Sequence, residues 1–179
     1  RAVIARDTSG AGPYVESVLA EWQLYTARLG KVRLDEVHVG GGTPTYLTPA
    51  QLQRLLGGVL GSAEVPAGAE LGIEADPRVT TRAQLEVLAG LGFRRLSLGI
   101  QDFDPAVQHS VNRHQSVDEV RAVTQSAREL GFTSVNFDLI YGLIEHPVEE
   151  LAVHHLLMAH VEDVLIENPF SSVPYVRTK

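Results

Sequence analysis

Residues 96–101 read Leu96-Ser97-Leu98-Gly99-Ile100-Gln101. In an extended chain side chains alternate between two faces. Leu96, Leu98 and Ile100 therefore share one face, and Ser97, Gly99 and Gln101 share the other. A parallel strand covered on both sides is apolar throughout. This one instead predicts an apolar face against helices and a small, polar face lining a cavity. Glu70–Asp76 repeats the pattern, with Leu71, Ile73 and Ala75 opposite Gly72, Glu74 and Asp76. Ser134–Tyr141 sets Val135, Phe137 and Leu139 against Asn136, Asp138 and Ile140, and Asp35–Gly40 sets Val37 and Val39 against His38. A parallel barrel with a polar, partly open lumen accounts for this alternation better than a flat doubly wound sheet.

Strands are expected at Asp35–Gly40, Glu70–Ala75, Arg95–Gln101, Ser134–Tyr141 and Asp163–Asn168, and helical patterns fill the intervals: about Tyr14–Leu29, Pro49–Leu60, Arg82–Leu91, Val117–Leu130 and Val148–His160. Thr48-Pro49-Ala50-Gln51 places a hydroxyl at the N-cap, proline at the first helical position and glutamine at the third. Thr81-Arg82-Ala83-Gln84 and Ser116-Val117-Asp118-Glu119 carry the same capping-box signature. Helix ends are expected at Leu29-Gly30, Leu91-Gly92 and Leu130-Gly131, where glycine accepts a left-handed backbone. Strand and helix in strict alternation imply a parallel sheet with right-handed crossovers.

The 179 residues suffice for a single domain with a sizeable core. A formal net charge of −7 argues against a nucleic-acid partner, whose footprint is basic. No apolar run approaches the length of about 18 residues that a membrane helix needs. The chain opens at Arg1, not Met, without a signal-peptide pattern, and reads as a fragment of a cytoplasmic protein. It contains no cysteine, which excludes a disulfide framework, a thiol nucleophile and a thiolate-held metal within these residues. The seven histidines show no metal-ligand spacing.

In a parallel barrel, ligand sites form at the carboxyl ends of the strands. Gly40-Gly41-Gly42-Thr43-Pro44-Thr45 follows the first strand, and backbone N–H groups free of Cβ atoms suit a carboxylate or phosphate. A flexible turn is the plainer alternative, and Thr-Pro-Thr makes it less generic. Glu74 and Gln101 end strands, and Asp138 lies within one. A carboxylate on an inward face must be paired, hydrogen-bonded or raised in pKa; a lumen salt bridge to Arg113 or Arg95 is one way. Arg113, in Ser110-Val111-Asn112-Arg113-His114-Gln115, could grip a carboxylate bidentately or lie on the surface. Tyr46, Tyr141 and Tyr175 read as packing or rim residues.

Several segments, in order, resemble one family: Val39-Gly40-Gly41-Gly42-Thr43-Pro44-Thr45-Tyr46-Leu47, Ile73-Glu74-Ala75-Asp76-Pro77-Arg78, Leu98-Gly99-Ile100-Gln101-Asp102-Phe103, Val111-Asn112-Arg113-His114-Gln115 and Gly131–Leu143. The chain is similar to the oxygen-independent coproporphyrinogen III oxidases, radical-SAM enzymes of haem biosynthesis. The resemblance implies an α/β fold, a partial (β/α)6 TIM-like barrel, with S-adenosylmethionine (SAM) and a [4Fe–4S] cluster as cofactors. It implies that Gly41, Gly42 and Thr43 contact the methionine end of SAM, that Glu74 and Arg113 hold its polar groups, with Arg113 near the carboxylate, that Gln101 and Asp138 meet the ribose, and that Ile140 and Ser172 border the adenine. The implied chemistry is reductive cleavage of SAM to a 5′-deoxyadenosyl radical, which takes a propionate hydrogen. Loss of CO2 leaves a vinyl group, and two such rounds give protoporphyrinogen IX. Partners implied are a porphyrinogen substrate and an electron donor, with the protein expected to be a monomer; charge and hydropathy, as above, argue against nucleic acid and membrane.

A sister branch of the superfamily contains haem chaperones, and Asn112-Arg113-His114-Gln115 looks more like the oxidase branch. The family's CxxxCxxC motif lies just before the stretch that residues 1–6 resemble. The first strand and cluster loop are therefore expected upstream of Arg1. The C-terminal substrate-covering domain is expected to be absent, so residues 1–179 form a single radical-SAM core and do not turn over alone. Phe170-Ser171-Ser172-Val173-Pro174 stands where the family has Tyr-Ala-His, and no proline follows Gly142-Leu143. Arg94, Arg95 or Arg177 would have to supply positive charge for a tetracarboxylate substrate.

Overall fold

The computed structural model describes residues 9–140. Four strands, β1 (Glu36–Val39), β2 (Glu70–Ala75), β3 (Arg95–Gln101) and β4 (Ser134–Leu139), form one sheet in the order β1-β2-β3-β4, every neighbouring pair parallel. Five α-helices accompany them: α1 (Ala11–Leu29), α2 (Pro49–Gly61), α3 (Arg82–Gly90), α4 (Pro105–Ser110) and α5 (Val117–Glu129). A doubly wound sheet reverses its strand order at a switch point. Here sequence order and spatial order coincide, as in an arc of a barrel wound in one direction. The expected helix at Val148–His160 and strand at Asp163–Asn168 lie outside the described residues.

Local sequence accounts for the helix boundaries. Thr48, Thr81 and Ser116 each accept a hydrogen bond from the backbone N–H three residues on, and the side chains of Gln51, Gln84 and Glu119 accept one from the cap's own N–H. α3 and α5 then end alike. In Leu91-Gly92-Phe93 and Leu130-Gly131-Phe132 the glycines take φ of 95° and 87°. Phe93 N–H donates to Leu88 O and Gly92 N–H to Ala89 O; Phe132 N–H donates to Ala127 O and Gly131 N–H to Arg128 O. This double bond is the Schellman arrangement. It drops Phe93 and Phe132 into the core and points the chain back into the next strand.

The period-two pattern becomes two faces. Leu71, Ile73 and Ala75 of β2 and Leu96, Leu98 and Ile100 of β3 are buried. They belong to one core with Leu52, Leu55 and Leu56 of α2, Leu85 and Leu88 of α3, and Val120, Val123 and Ala127 of α5. Val135, Phe137 and Leu139 pack against it half-buried. The opposite face carries His38, Glu74, Ser97, Gly99, Gln101, Asn136 and Asp138, none of them buried; Gly72 of β2, and Asp76 just past its end, are buried. The helices of this singly wound arc thus cover the apolar face, and the polar face stays open.

The short helix α4 departs from the sequence expectation. Its signal was present: Asp104 accepts hydrogen bonds from the N–H groups of Ala106 and Val107, with Pro105 at the first helical position. Six residues are too few for an amphipathic period to show.

Candidate functional site at the carboxyl ends of the strands

The glycine-rich loop leaves β1 at its carboxyl end. Gly41 and Gly42 have φ of 83° and 67°, a region that glycine enters without Cβ strain. A Cβ on either would meet nothing within 4 Å, so this side of the loop faces open space. Thr43 is extended and caps a single 3₁₀ turn, Pro44–Tyr46. The loop is nonetheless tethered. Buried Thr45 lies 3.0 Å, oxygen to oxygen, from the Thr80 hydroxyl, which donates to Asp76 O at 2.7 Å. Buried Gln84 donates to Thr45 O at 2.6 Å and to Leu47 O at 2.8 Å. The threonine and glutamine thus fasten a loop that its glycines alone would leave free.

Two polar groups sit beside this loop. In the first, Glu74 Oε1 lies 3.1 Å from His38 Nε2, and Gly41 N–H donates to Glu74 Oε2 at 3.2 Å. A Cβ at Gly40 would lie 2.7 Å from Glu74 Cδ and Oε1, so only glycine lets the carboxylate approach this closely. Asp138, on β4, feels the same cluster. Desolvation on the polar face, and then the charge of Glu74, push its carboxyl above the usual range, with His38 acting the other way. Of the routes open to an inward carboxylate, Asp138 takes the raised pKa.

The second group is built on the ends of β2 and β3. Asp76 is 4% exposed. Its Oδ1 accepts from Arg78 N–H and Nε, both at 3.0 Å, and its Oδ2 from Arg78 Nη2 at 2.6 Å. Arg113 Nη2 lies 3.2 Å from the same Oδ2 and donates to Gly99 O at 2.5 Å. Burial on its own raises the Asp76 carboxyl; the hydrogen bonds from Arg78, with the charge of Arg113, outweigh it and hold the group below the usual range. Burial lowers the Arg113 guanidinium from its ordinary value, against the pull of Asp76.

Gln101 completes this group through its backbone. Between Gly99 and Gln101 the β3–β4 register slips, and Gln101 takes φ of 70°. A non-glycine residue held there carries about 1–3 kcal/mol of strain, a common feature of functional sites. Its Nε2 lies 3.1 Å, and Arg113 Nη2 3.2 Å, from where a Gly99 Cβ would stand. Gln101 O accepts from the N–H of partly exposed Ile140 at 2.9 Å. The loop that carries Arg113 is stapled by Gln108, whose Nε2 donates to Asp102 O and Gln115 O, and by Gln115, whose Nε2 donates to Ile100 O.

The structure therefore gathers Gly41, Gly42, Thr43, Glu74, Gln101, Arg113, Asp138 and Ile140 at one end of the sheet; Ser172 lies outside the described residues. The alternative of a lumen salt bridge from Glu74 or Asp138 to Arg113 or Arg95 is not taken: Arg113 meets Asp76, because the loop after β3 descends over Gly99 beside the end of β2. Arg95 pairs with Glu70 at the opposite end of the strands, and Arg94 donates to Ala89 O and Phe93 O. Neither arginine is placed to serve a ligand at the carboxyl ends. Sequence reasoning also passed over His38 and Asp76; their polar-face position was legible, but their partners were not.

The pattern that defines the Radical SAM superfamily matches residues 7–157. The chain belongs to that superfamily. It is similar to the oxygen-independent coproporphyrinogen III oxidases of Pseudomonas aeruginosa (38% identical over 154 residues, 84% of this chain and 33% of the relative) and Escherichia coli (39% over 150 residues, 84% and 33%). The oxidase of Paracoccus denitrificans is 36% identical over 167 residues, 91% of this chain and 37% of its own. The solved coproporphyrinogen III oxidase of E. coli, described as a radical SAM enzyme, superposes with a TM-score of 0.80 at 39% identity, covering 89% of this chain and 37% of that one. The chain thus spans about a third of the length of these relatives.

The superfamily's cofactors are SAM and a [4Fe–4S] cluster. The residues present fit the first: the loop offers open glycine backbone, and Arg113 Nε is buried without a hydrogen-bond partner among the described residues. They do not fit the second, because a cluster of this kind is held by cysteine thiolates and the 179 residues contain none. Among the described residues no group of three His, Asp or Glu side chains could hold a metal ion, and no helix is long and apolar enough to cross a membrane.

Proposed function

We propose that residues 1–179 form the SAM-binding barrel core of an oxygen-independent coproporphyrinogen III oxidase. The observation that carries this reading is 36–39% identity across 84–91% of the chain to proteins of that name. The reaction is the oxidative decarboxylation of coproporphyrinogen III to protoporphyrinogen IX, in which each of two propionates loses a hydrogen atom, CO2 and one electron; an external donor supplies the electron for SAM cleavage and a one-electron acceptor takes the electron released. SAM, when bound, supplies the means of abstracting a hydrogen atom from a propionate side chain.

In this reading the chain's own residues bind and orient. Gly41 and Gly42 let SAM's methionine end approach the backbone, and Thr43 borders it. Glu74 accepts from the ammonium group while keeping the hydrogen bond from Gly41 N–H that orients it. Arg113 meets the carboxylate. Gln101 and Asp138 take the ribose hydroxyls, a contact that needs Asp138 to accept hydrogen bonds and therefore strengthens once its raised pKa is passed. Ile140 and Ser172 border the adenine.

The test is anaerobic incubation of the full-length protein, its [4Fe–4S] cluster reconstituted, with SAM, a one-electron reductant and coproporphyrinogen III, followed by porphyrin chromatography and CO2 measurement. SAM-dependent CO2 release with formation of protoporphyrinogen is expected. Haem binding without conversion of the porphyrinogen would support a haem-carrying relative in its place.

A further inference from the structure

Asp76 has no role in the SAM-contact scheme above, yet it is the most enclosed charge at the carboxyl ends of the strands. Two guanidinium groups share its one carboxylate. Arg78 takes it closely, at 2.6–3.0 Å, while Arg113 Nη2 reaches Oδ2 only at 3.2 Å. These three charges sum to one net positive charge, offset in part by the exposed Glu119 carboxylate that acts on Arg78, in a site where Arg113 is 21% exposed. Burying a charge that is incompletely compensated is costly. Arg113 is nevertheless fixed at one nitrogen, Nη2, by Gly99 O and Asp76. Its Nε is buried without a hydrogen-bond partner among the described residues.

We infer that Asp76, held by Arg78, is a positioning residue that presents Arg113 to the α-carboxylate of the bound amino-acid moiety. This rests on the reading that Arg113 meets the carboxylate of SAM. Asp76 keeps the two guanidinium groups from repelling each other, since Arg78 on its own disfavours the charged form of Arg113. Arg78 in turn occupies Asp76 on both oxygens. That stops Asp76 from swinging onto Arg113 as a bidentate partner and taking the position the ligand's carboxylate needs. One carboxylate between two arginines holds the second arginine still without neutralising it.

The experiment compares SAM with its decarboxylated analogue, which lacks only the α-carboxylate, by equilibrium dialysis against the encoded protein and its variants. The wild type is expected to prefer SAM. Asp76→Asn is expected to reduce that preference by about tenfold or more, the scale of a charge-assisted hydrogen bond, while affinity for the analogue stays within about twofold. Arg78→Gln, at a more exposed side chain, reads the same quantity if Asp76→Asn does not fold; its preference for SAM is also expected to drop. Equal weakening toward both ligands would make Asp76 a merely structural residue and overturn the inference while leaving the SAM site intact. An unchanged preference in Arg78→Gln overturns it as well. A wild type that binds SAM and the analogue equally would overturn the underlying assignment of Arg113, and the inference with it.

Discussion

Gly40→Ala isolates the contact between the glycine loop and Glu74. The added methyl would stand 2.7 Å from Glu74 Cδ and Oε1 and 2.9 Å from Oε2. Moving from 2.7 Å to the 3.4 Å of ordinary contact requires the carboxylate to retreat by about 0.7 Å. Glu74 is 44% exposed and its carboxyl is the end of a flexible side chain, so the retreat is cheap for the fold. The backbone at Gly40 lies outside the left-handed region, and alanine adds no strain there. Stability is therefore expected to stay within about 0.5 kcal/mol of the wild type. The carboxylate's hydrogen bonds to Gly41 N–H and His38, at 3.2 and 3.1 Å, do not survive such a shift intact. If Glu74 also receives the ammonium of SAM, affinity should fall by about 1.5 kcal/mol, the low end for a charged hydrogen bond because the group is half-exposed, or roughly tenfold. Isothermal titration with SAM and a denaturant melt measure the two quantities. Glu74→Ala removes all three atoms that the methyl would meet, so Gly40→Ala added to it should cost nothing further in affinity. Wild-type affinity in Gly40→Ala, or a loss of the same size in the Glu74→Ala background, would refute the reasoning.

Further outcomes follow from the same geometry. Leu98→Ala, at a fully buried position of β3, should destabilise the protein by about 2–5 kcal/mol in a denaturant melt; a cost below 1 kcal/mol, as for an exposed site, would contradict the two-faced sheet. Ser116→Ala removes one half of a capping box and should cost about 1 kcal/mol, with Ser116→Asp recovering most of it. Asp76 and Asp138 should give pH dependences of opposite sign. The depressed pKa of Asp76 makes its contribution present above the unfolded value and lost as pH falls through the folded one, so Asp76→Asn should flatten the acid limb of stability. The raised pKa of Asp138 means that stability falls as pH climbs from the unfolded toward the folded value. Asp138→Asn should abolish that fall, and parallel stability–pH curves for it and the wild type would refute the assignment.

Much of the fold was legible because its determinants are local. A capping box spans four residues, a Leu-Gly-Phe helix end five or six, and the alternation of Leu96 to Gln101 a single strand. The observed bounds of β2 and β3 match the expected ones, and those of α2, α3 and α5 differ by a single residue at one end. The exception, α4, is too short to show periodicity, although Asp104-Pro105 announced it. Within the site, the polar-face alternation and the strand-end positions singled out Glu74, Gln101 and Asp138. The resemblance added the neighbouring residues.

What the sequence by itself determined is a set of parallel strands with one apolar and one polar face, their crossover helices, and a glycine loop at the end of β1. Only the tertiary structure decided how the polar groups share their charges. His38 meets Glu74 across 36 residues of chain, Gln84 ties Thr45 across 39, and Arg113 reaches Gly99 across 14 and settles beside Asp76 instead of Glu74. The backbone strain at Gln101 arises where β3 slips against β4. Caps on a helix and side-chain alternation along a strand are set by the residue's own neighbours. The partners of a buried charge are set by which strand ends the twist and register of the sheet bring together, and no spacing within one segment encodes that.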